Sequence, residues 1–430
     1  MPVRGIRASD LTVTDYAGRS LFAYDTLVPD LHLDGNFIVF PKETKSISYR
    51  VDLDPAHSGR FGLPMPGIGE HTDLIDGAYF FLLPLVGTDF AAQWRTPVDI
   101  RLEFVPSSGR TLVGTDAKVS FRTNYELMFV RAVFDPKTKS TFTMRNHEVT
   151  TYTTASDSVK VPEFNPLLEK CIRLVEDSLL VLPTYRYFVG ENPVFWGVEG
   201  SQGYWFRPET QTSPAVHVHE LVHTFVGIYN GDQDDPWYKE GMTDYLGNLL
   251  PLQAGLIKDS AFIADMLWAR DTIQSIQHYA LSSPYVRNHL FVPLDTAFKD
   301  QPDPENFIQL VYGKGAQASM ILDRYILERS GGRYSVFNLV RDLNHKGPSF
   351  HRRDLVSLVS EYTGADATAF LESLLDKVAP LPKDSLDRTY AALKQMGRFA
   401  PGFPPGAVAS PKSATGSISG FGMHPKSEKL

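Results

Sequence analysis

The chain has 430 residues, of which 43% are hydrophobic and 21% are charged, a balance typical of folded globular proteins. Its formal net charge of −8 disfavours nucleic acid as a partner, because proteins that bind phosphate backbones usually carry a basic surface. A single cysteine, Cys171, excludes an intramolecular disulfide and is typical of a reducing compartment, so we expect a cytoplasmic protein. The apolar runs are far shorter than the ~20 residues that span a bilayer, and we expect no membrane partner.

Residues 1–160 are predicted to form a β-rich N-terminal module. In residues 47–53 and 98–104 the apolar side chains occupy every second position, which places them on one face of a strand. Residues 117–121 repeat this pattern, and the Pro/Gly cluster at 62–69 is typical of a loop between strands. We expect these strands to pack as a β-sandwich-like module.

The periodicity changes near residue 161. Apolar residues recur at helical spacing over residues 168–179, after Asn165, which we predict to be the N-cap. Strands are predicted at 185–189 and 204–206, and helical patterns dominate from residue 215 to about 377. The predicted fold class is therefore α+β and multidomain.

Three regions follow the β-rich module in this organisation. They are an α/β core, a helical lobe that packs with it, and a flexible tail rich in proline, glycine and serine. Their predicted bounds are residues 161–252, 253–398 and 399–430.

The strongest chemical signal is His-Glu-Leu-Val-His at residues 219–223. On a helix, side chains four positions apart share a face, so His219 and His223 can bind one metal ion. Glu220 lies beside that face, where its carboxylate can accept a proton from an activated water. The alternative is a surface helix that carries these residues by chance. His217 lies on a different helical face, and we expect it at the surface.

A zinc ion needs a third protein ligand, for which Glu240 is the candidate. Asp235 and Pro236 are typical of an N-cap and a first helical position, so a second helix that carries Glu240 is predicted to begin there. Asp244, one turn later, can accept a hydrogen bond from a ligand imidazole and fix its tautomer. Alone, the two acids also fit a solvated helix face beside Lys239, but the His motif favours the metal site.

Residues 219–223, together with Trp-Tyr-Lys-Glu-Gly-Met-Thr-Asp-Tyr at 237–245, resemble the gluzincin zinc metallopeptidases. The pattern is most similar to the glycyl aminopeptidase family and also resembles the alanyl and leukotriene-hydrolysing aminopeptidases. The resemblance implies a thermolysin-like catalytic domain with Zn²⁺ as cofactor. It implies His219, His223 and Glu240 as the zinc ligands.

Residues 196–200, Trp-Gly-Val-Glu-Gly, resemble the Gly-rich segment that precedes the zinc motif in those families. There a glutamate binds the free α-amino group of the substrate. The resemblance implies this role for Glu199, with Gly197 and Val198 as neighbouring substrate-binding residues. The alternative for Glu199 is a carboxylate paired with an arginine of the chain.

Residues 311–316, Val-Tyr-Gly-Lys-Gly-Ala, match the Tyr-x-Lys-Gly-Ala motif of the same families. In them the tyrosine hydroxyl stabilises the tetrahedral intermediate, so the resemblance implies that Tyr312 is the oxyanion donor. The alternative is a core aromatic residue at the start of a helix.

These motifs predict a zinc-dependent aminopeptidase that acts on short peptides. A first alternative is a tailoring enzyme that uses the same zinc core for epoxide or amide hydrolysis or for cyclisation of a small molecule. Gly200 and the short segment before Glu240 leave room for it. An endopeptidase is a second alternative. A binding protein without turnover is a third, although intact Glu220 and Tyr312 disfavour it. The sequence indicates neither the natural substrate nor the oligomeric state.

Overall fold

The computed structural model describes most of the C-terminal half of the chain and shorter pieces of the N-terminal half. The described residues are 7–27, 44–52, 74–76, 100–103, 111–113, 118–121, 131–134, 136, 138–153, 161–190, 197–198, 203–206, 210, 212–226, 237–272, 281, 309–346, 350–377, 381 and 383–400.

Short antiparallel sheets account for the regular structure described before residue 135. The strands are β1 (Arg7–Asp15), β2 (Ser20–Leu27), β3 (Thr44–Asp52), β4 (Leu74–Asp76), β5 (Ile100–Glu103), β6 (Leu112–Val113), β7 (Lys118–Phe121) and β8 (Arg131–Phe134). They pair in the orders β2-β1-β3, β4-β8-β6 and β5-β7. The strands predicted from alternation coincide with β3, β5 and β7. Their packing as a sandwich stays a prediction.

A five-stranded mixed sheet joins two strands from residues 138–153, within the predicted N-terminal module, to three strands of the predicted α/β core. Its strands are β9 (Thr138–Met144), β10 (His147–Thr153), β11 (Arg186–Val189), β12 (Gly197–Val198) and β13 (Tyr204–Phe206), in the order β12-β13-β11-β10-β9. Strands β10, β11 and β13 run parallel. The β9–β10 hairpin turns at Arg145 and Asn146, which both have positive φ, as the tight turn that matches strand twist requires.

Helices make up most of the described chain after residue 160. They are α1 (Val161–Ser178), α2 (Pro214–His223), α3 (Thr243–Gln253), α4 (Asp259–Thr272), α5 (Gly315–Ser330), α6 (Val336–His345), α7 (Arg352–Thr363), α8 (Thr368–Leu375) and α9 (Lys383–Gln395). Two six-residue π-helical turns lead directly into helices: Trp237–Met242, the first π turn, precedes α3, and Gln309–Lys314, the second π turn, precedes α5. In the described part of the chain, no helix is long and apolar enough to cross a membrane.

Helix α1 begins at Val161, earlier than the predicted cap at Asn165. The Asn165 side chain reaches the sheet instead, where its Oδ1 accepts a hydrogen bond from Thr151 Oγ1 at 2.9 Å. Its Nδ2 donates to Ser140 Oγ, also at 2.9 Å. The amide therefore fastens the helix to β9 and β10, which is a tertiary role that local spacing does not reveal.

A continuous apolar core extends from Met144 on β9 to Phe399 near the end of the described chain. Phe399, which was predicted to start the flexible tail, is 8% exposed and contacts Phe262, with ring centroids 5.0 Å apart. The folded chain thus continues past the predicted boundary, because an aromatic ring there finds an apolar partner on α4.

A buried ionic cluster joins α3, α5 and the segment after α9. Arg398 Nε donates to Asp323 Oδ2 at 2.8 Å, and both side chains are fully buried. Tyr245 Oη donates to the same carboxylate oxygen at 2.8 Å. Gln253 Nε2 donates to the Arg398 carbonyl at 2.7 Å. Loss of either charge would leave the other buried without compensation and would destabilise the packing of these elements.

Candidate metal centre

Helix α2, which carries the His motif, is determined largely by its own sequence. Ser213 caps the helix, because its Oγ accepts a hydrogen bond from the Val216 amide at 3.4 Å, and Pro214 occupies the first helical position. The apolar stripe that holds the helix in the core consists of the fully buried residues Val218, Leu221 and Val222.

A glycine on α3 permits close contact between α2 and α3. A Cβ atom placed on Gly247 would lie 3.1 Å from His219 Cβ and 3.2 Å from the Ala215 carbonyl oxygen, closer than most side-chain contacts. The absence of a side chain at this position therefore lets α3 approach the histidine helix and bring Asp244 beside His219.

The structure brings His219, His223 and Glu240 together. The two Nε2 atoms of the histidines are 3.0 Å apart. Glu240 Oε2 lies 3.2 Å from His223 Nε2 and 3.8 Å from His219 Nε2. One ligand atom from each residue lies within 4.8 Å of the other two, a spacing suited to a single metal ion.

Each imidazole has an acceptor at its other nitrogen. His219 Nδ1 is 3.3 Å from Asp244 Oδ1, the contact that the sequence predicted for this aspartate. His223 Nδ1 is 3.2 Å from the Val226 carbonyl oxygen. Because both acceptors require a proton on Nδ1, each neutral ring directs its Nε2 lone pair toward Glu240.

This set of donors fits a cation. Glu240 is 4% exposed, and among the described residues its Oε2 receives no hydrogen bond. Burial opposes ionisation of Glu240, but the Lys239 ammonium and, in their protonated form, the His223 and His219 rings outweigh it and hold the pKa of Glu240 well below its usual range. An anionic oxygen and two lone pairs therefore face one another, and two nitrogens plus one oxygen are a ligand set that suits Zn²⁺.

Glu220 and Tyr312 lie at the same centre. Glu220 is 6% exposed, and the ring of Tyr312 stacks parallel to the imidazole of His219, with centroids 6.0 Å apart. Burial raises the pKa of Tyr312 well above its ordinary value, and Glu240, Glu220 and Asp244 raise it further. The hydroxyl therefore keeps its proton and is able to donate a hydrogen bond.

The two π turns contact each other through their backbones. A Cβ atom on Gly315 would lie 3.0 Å from Gly241 Cα, and a Cβ atom on Gly241 would overlap the backbone of Gly315. Glu240 directly precedes one of these glycines, and Tyr312 lies one turn before the other. The glycine contact thus sets the position of Glu240 relative to Tyr312.

Sequence reasoning missed three features around the centre. It predicted an ordinary helix through Glu240, where the structure has a π turn. It treated Lys239 as part of a possible solvated face, whereas Lys239 Nζ lies 3.3 Å from Glu240 Oε1. The surface position expected for His217 is wrong, because its ring is fully buried 4.3 Å from that of Phe206. The shared helical face of His217 and apolar Leu221 was the signal for this burial.

The predicted amine-binding residue, Glu199, and the predicted cap at 235–236 lie outside the described residues. Gly197 and Val198 form β12, the edge strand of the five-stranded sheet, and this strand lies beside α2. The roles proposed for these residues therefore stay predictions.

Neither a family model nor a curated protein matches this sequence. Solved structures do match. The chain is similar to an aminopeptidase N family protein from Idiomarina loihiensis, with a TM-score of 0.55 and 13% identity over 90% of this chain and 72% of that one.

It is also similar to a variant of a two-domain M1 zinc metallopeptidase bound to L-arginine. The TM-score is 0.52 and the identity is 16% over 89% of this chain and 87% of that one. A variant of a two-domain M1 zinc metallopeptidase bound to L-tryptophan gives a TM-score of 0.51 and 16% identity over 89% and 86% of the two chains. At these identities the likeness concerns the fold alone. The chain has the mixed helix-and-strand fold of the M1 zinc peptidases.

Proposed function

We propose that this chain is a zinc-dependent aminopeptidase that hydrolyses the N-terminal residues of short peptides. The observation that carries the proposal is the convergence of two imidazole nitrogens and one buried carboxylate oxygen beside Glu220 and Tyr312. The M1 fold supports it, as does the binding of L-arginine and L-tryptophan by M1 metallopeptidases with that fold. The resemblance to the glycyl aminopeptidase family refines the proposal.

Each residue has a distinct part in the proposed reaction. Zinc held by His219, His223 and Glu240 would supply a Lewis acid and a water of lowered pKa. The Glu220 carboxylate accepts a proton from the attacking water and passes it to the leaving amine. The Tyr312 hydroxyl donates a hydrogen bond to the substrate carbonyl oxygen as negative charge develops on it.

The substrate amine is assigned to the segment that includes β12. Glu199 would hold the α-ammonium group as a fixed anion, with Gly197 and Val198 beside it. The contact between β12 and α2, the helix that carries both histidines, supports this assignment. An anion at a fixed distance from the reacting carbonyl would explain removal of a single N-terminal residue.

Metal analysis and peptide hydrolysis together test the proposal. The purified protein should bind one zinc per chain, whereas His223→Ala should lose it, because two ligands hold zinc much less tightly than three. The zinc-loaded protein should release amino acids from aminoacyl amides and tripeptides. The same peptides with an acetylated N-terminus should stay intact.

Other outcomes separate the alternatives. A parent protein that stays free of metal after incubation with zinc would refute the proposal. Cleavage of the acetylated peptides would indicate an endopeptidase. Full zinc occupancy without release from any peptide or amide would indicate a small-molecule substrate.

A further inference from the structure

The two oxygens of the Glu240 carboxylate have different neighbours. Oε2 faces the histidines, 3.2 Å from His223 Nε2, and the carboxylate also accepts a hydrogen bond from the Tyr312 hydroxyl. Oε1 lies 3.3 Å from Lys239 Nζ. One oxygen is thus directed to the metal position and the other to a cation of the protein.

The π turn explains how adjacent residues meet in this way. On a regular helix, consecutive side chains diverge by ~100°. The i→i+5 bonds of a π turn close a wider ring, so each residue advances by a smaller angle. Trp237 and Tyr238, which are 0% and 1% exposed, hold this turn in the core. Lys239 and Glu240 can therefore lie side by side.

The Lys239–Glu240 pair is less exposed than an ordinary surface ion pair. The Glu240 side chain is 6% exposed and that of Lys239 is 21% exposed. A pair between solvated side chains contributes little to stability, since water screens both charges. Here the Glu240 carboxylate is largely removed from water. The position of the Lys239 ammonium therefore affects which carboxylate oxygen remains available to bind a metal.

We infer that Lys239 is a positioning residue that holds Oε1 of Glu240 and leaves Oε2 as the single metal-binding oxygen. This inference rests on the proposed zinc function. Lys239 also repels a metal cation, but its ammonium contacts the oxygen that faces away from the histidines and is partly solvated. Positioning and repulsion have opposite signs, because repulsion alone would make zinc binding tighter when the Lys239 charge is removed.

The zinc dissociation constant tests this role without reference to turnover. It is measured by competition with a chromophoric chelator for the parent, Lys239→Met, Lys239→Gln and Lys239→Arg. Lys258→Met is the matched control, because Lys258 is an exposed lysine on the segment before α4. Thermal unfolding of the metal-free variants checks that each is folded.

Lys239→Met and Lys239→Gln should bind one zinc with a dissociation constant about 10–100-fold higher, the usual cost of losing a residue that orients a ligand. Lys239→Arg and Lys258→Met should stay close to the parent, because both keep a cation beside Glu240. The metal-free variants should each show a cooperative unfolding transition, which establishes that they are folded.

Unchanged or tighter zinc binding by Lys239→Met and Lys239→Gln would overturn the inference while leaving the proposed function intact. Weakening by Lys239→Arg equal to that by Lys239→Met would also overturn it, since shape rather than charge would then matter. A parent that binds no zinc would instead refute the proposed function.

Discussion

Helix α2 and the two π turns contribute to the same centre but are built in different ways. Helix α2 has a serine cap, a first-position proline and an apolar stripe, all of which lie within its own sequence. The π turns depend on backbone contact between Gly241 and Gly315, which are distant in sequence. Local sequence therefore specifies the histidines, whereas tertiary packing specifies the positions of Glu240 and Tyr312.

The two π turns also differ from α2 in what they do at the centre. Single π turns inside helices occur frequently at functional sites, because the extra residue redirects a side chain at a cost in local stability. Here both turns present a polar side chain to the histidine helix. Substitutions in the two regions should accordingly have different effects on chemistry and on folding.

The largest expected effect is that of Glu220→Gln on α2. The amide cannot accept the proton, so turnover should fall by about 10²–10⁴-fold. Zinc content should not change, because Glu220 is not a ligand in the proposed centre. Steady-state kinetics and metal analysis on the same preparation provide the check. Unchanged turnover would exclude Glu220 as the base.

Tyr312→Phe, on the second π turn, should lower kcat by about 10²–10³-fold, the usual loss for one oxyanion donor. KM should change little, because the hydrogen bond is strongest in the transition state. Comparison of kcat and KM for one tripeptide separates these effects. A raised KM with normal kcat would assign Tyr312 to substrate binding instead.

Gly241→Ala should lower the free energy of unfolding by about 3 kcal/mol, because the new methyl group overlaps the backbone of Gly315. Turnover should fall as well, since the two π turns must separate. Denaturant unfolding and kinetics measure the two losses.

Gly247→Ala provides the matched control on α3. A Cβ atom there would lie 3.1 Å from His219 Cβ and 3.2 Å from the Ala215 carbonyl oxygen, contacts that a shift of a few tenths of an ångström relieves, so its cost should be smaller than that of Gly241→Ala. Equal losses for the two glycines would contradict the special role of the contact between the π turns.

The smallest expected effect is that of Ser213→Ala at the cap of α2. Loss of the side-chain acceptor should cost about 1 kcal/mol in the free energy of unfolding. Zinc affinity should be preserved, because the buried stripe still holds the helix. Denaturant unfolding together with zinc titration measures both. Loss of zinc in this variant would show that the helix depends on its cap for the geometry of the centre.

The sequence predicts the local parts of the centre well. The spacing of His219 and His223 and the candidate ligand Glu240 come from helical periodicity and motif order, and the structure brings these side chains together. The structure also places Asp244 Oδ1 beside Nδ1 of His219, the kind of contact that the sequence suggested for this aspartate. The strands predicted at 47–53, 98–104, 117–121, 185–189 and 204–206 overlap the described strands.

The remaining features depend on contacts between distant residues. The π turns require Gly241 to meet Gly315, and no local pattern encodes that meeting. The Asn165 side chain forms a hydrogen bond with the sheet instead of capping its helix. His217 is buried against aromatic rings of other elements. Each of these outcomes is set by the neighbours that tertiary packing supplies.

The buried pair of Asp323 and Arg398 has a consequence for biosynthesis. Asp323 belongs to the helix that follows Tyr312, yet its cationic partner is added 75 positions later. A nascent polypeptide that ends before this arginine would enclose an uncompensated carboxylate, which is strongly unfavourable. We therefore expect α5 and the segment after α9 to reach their native packing only after the ribosome has translated Arg398.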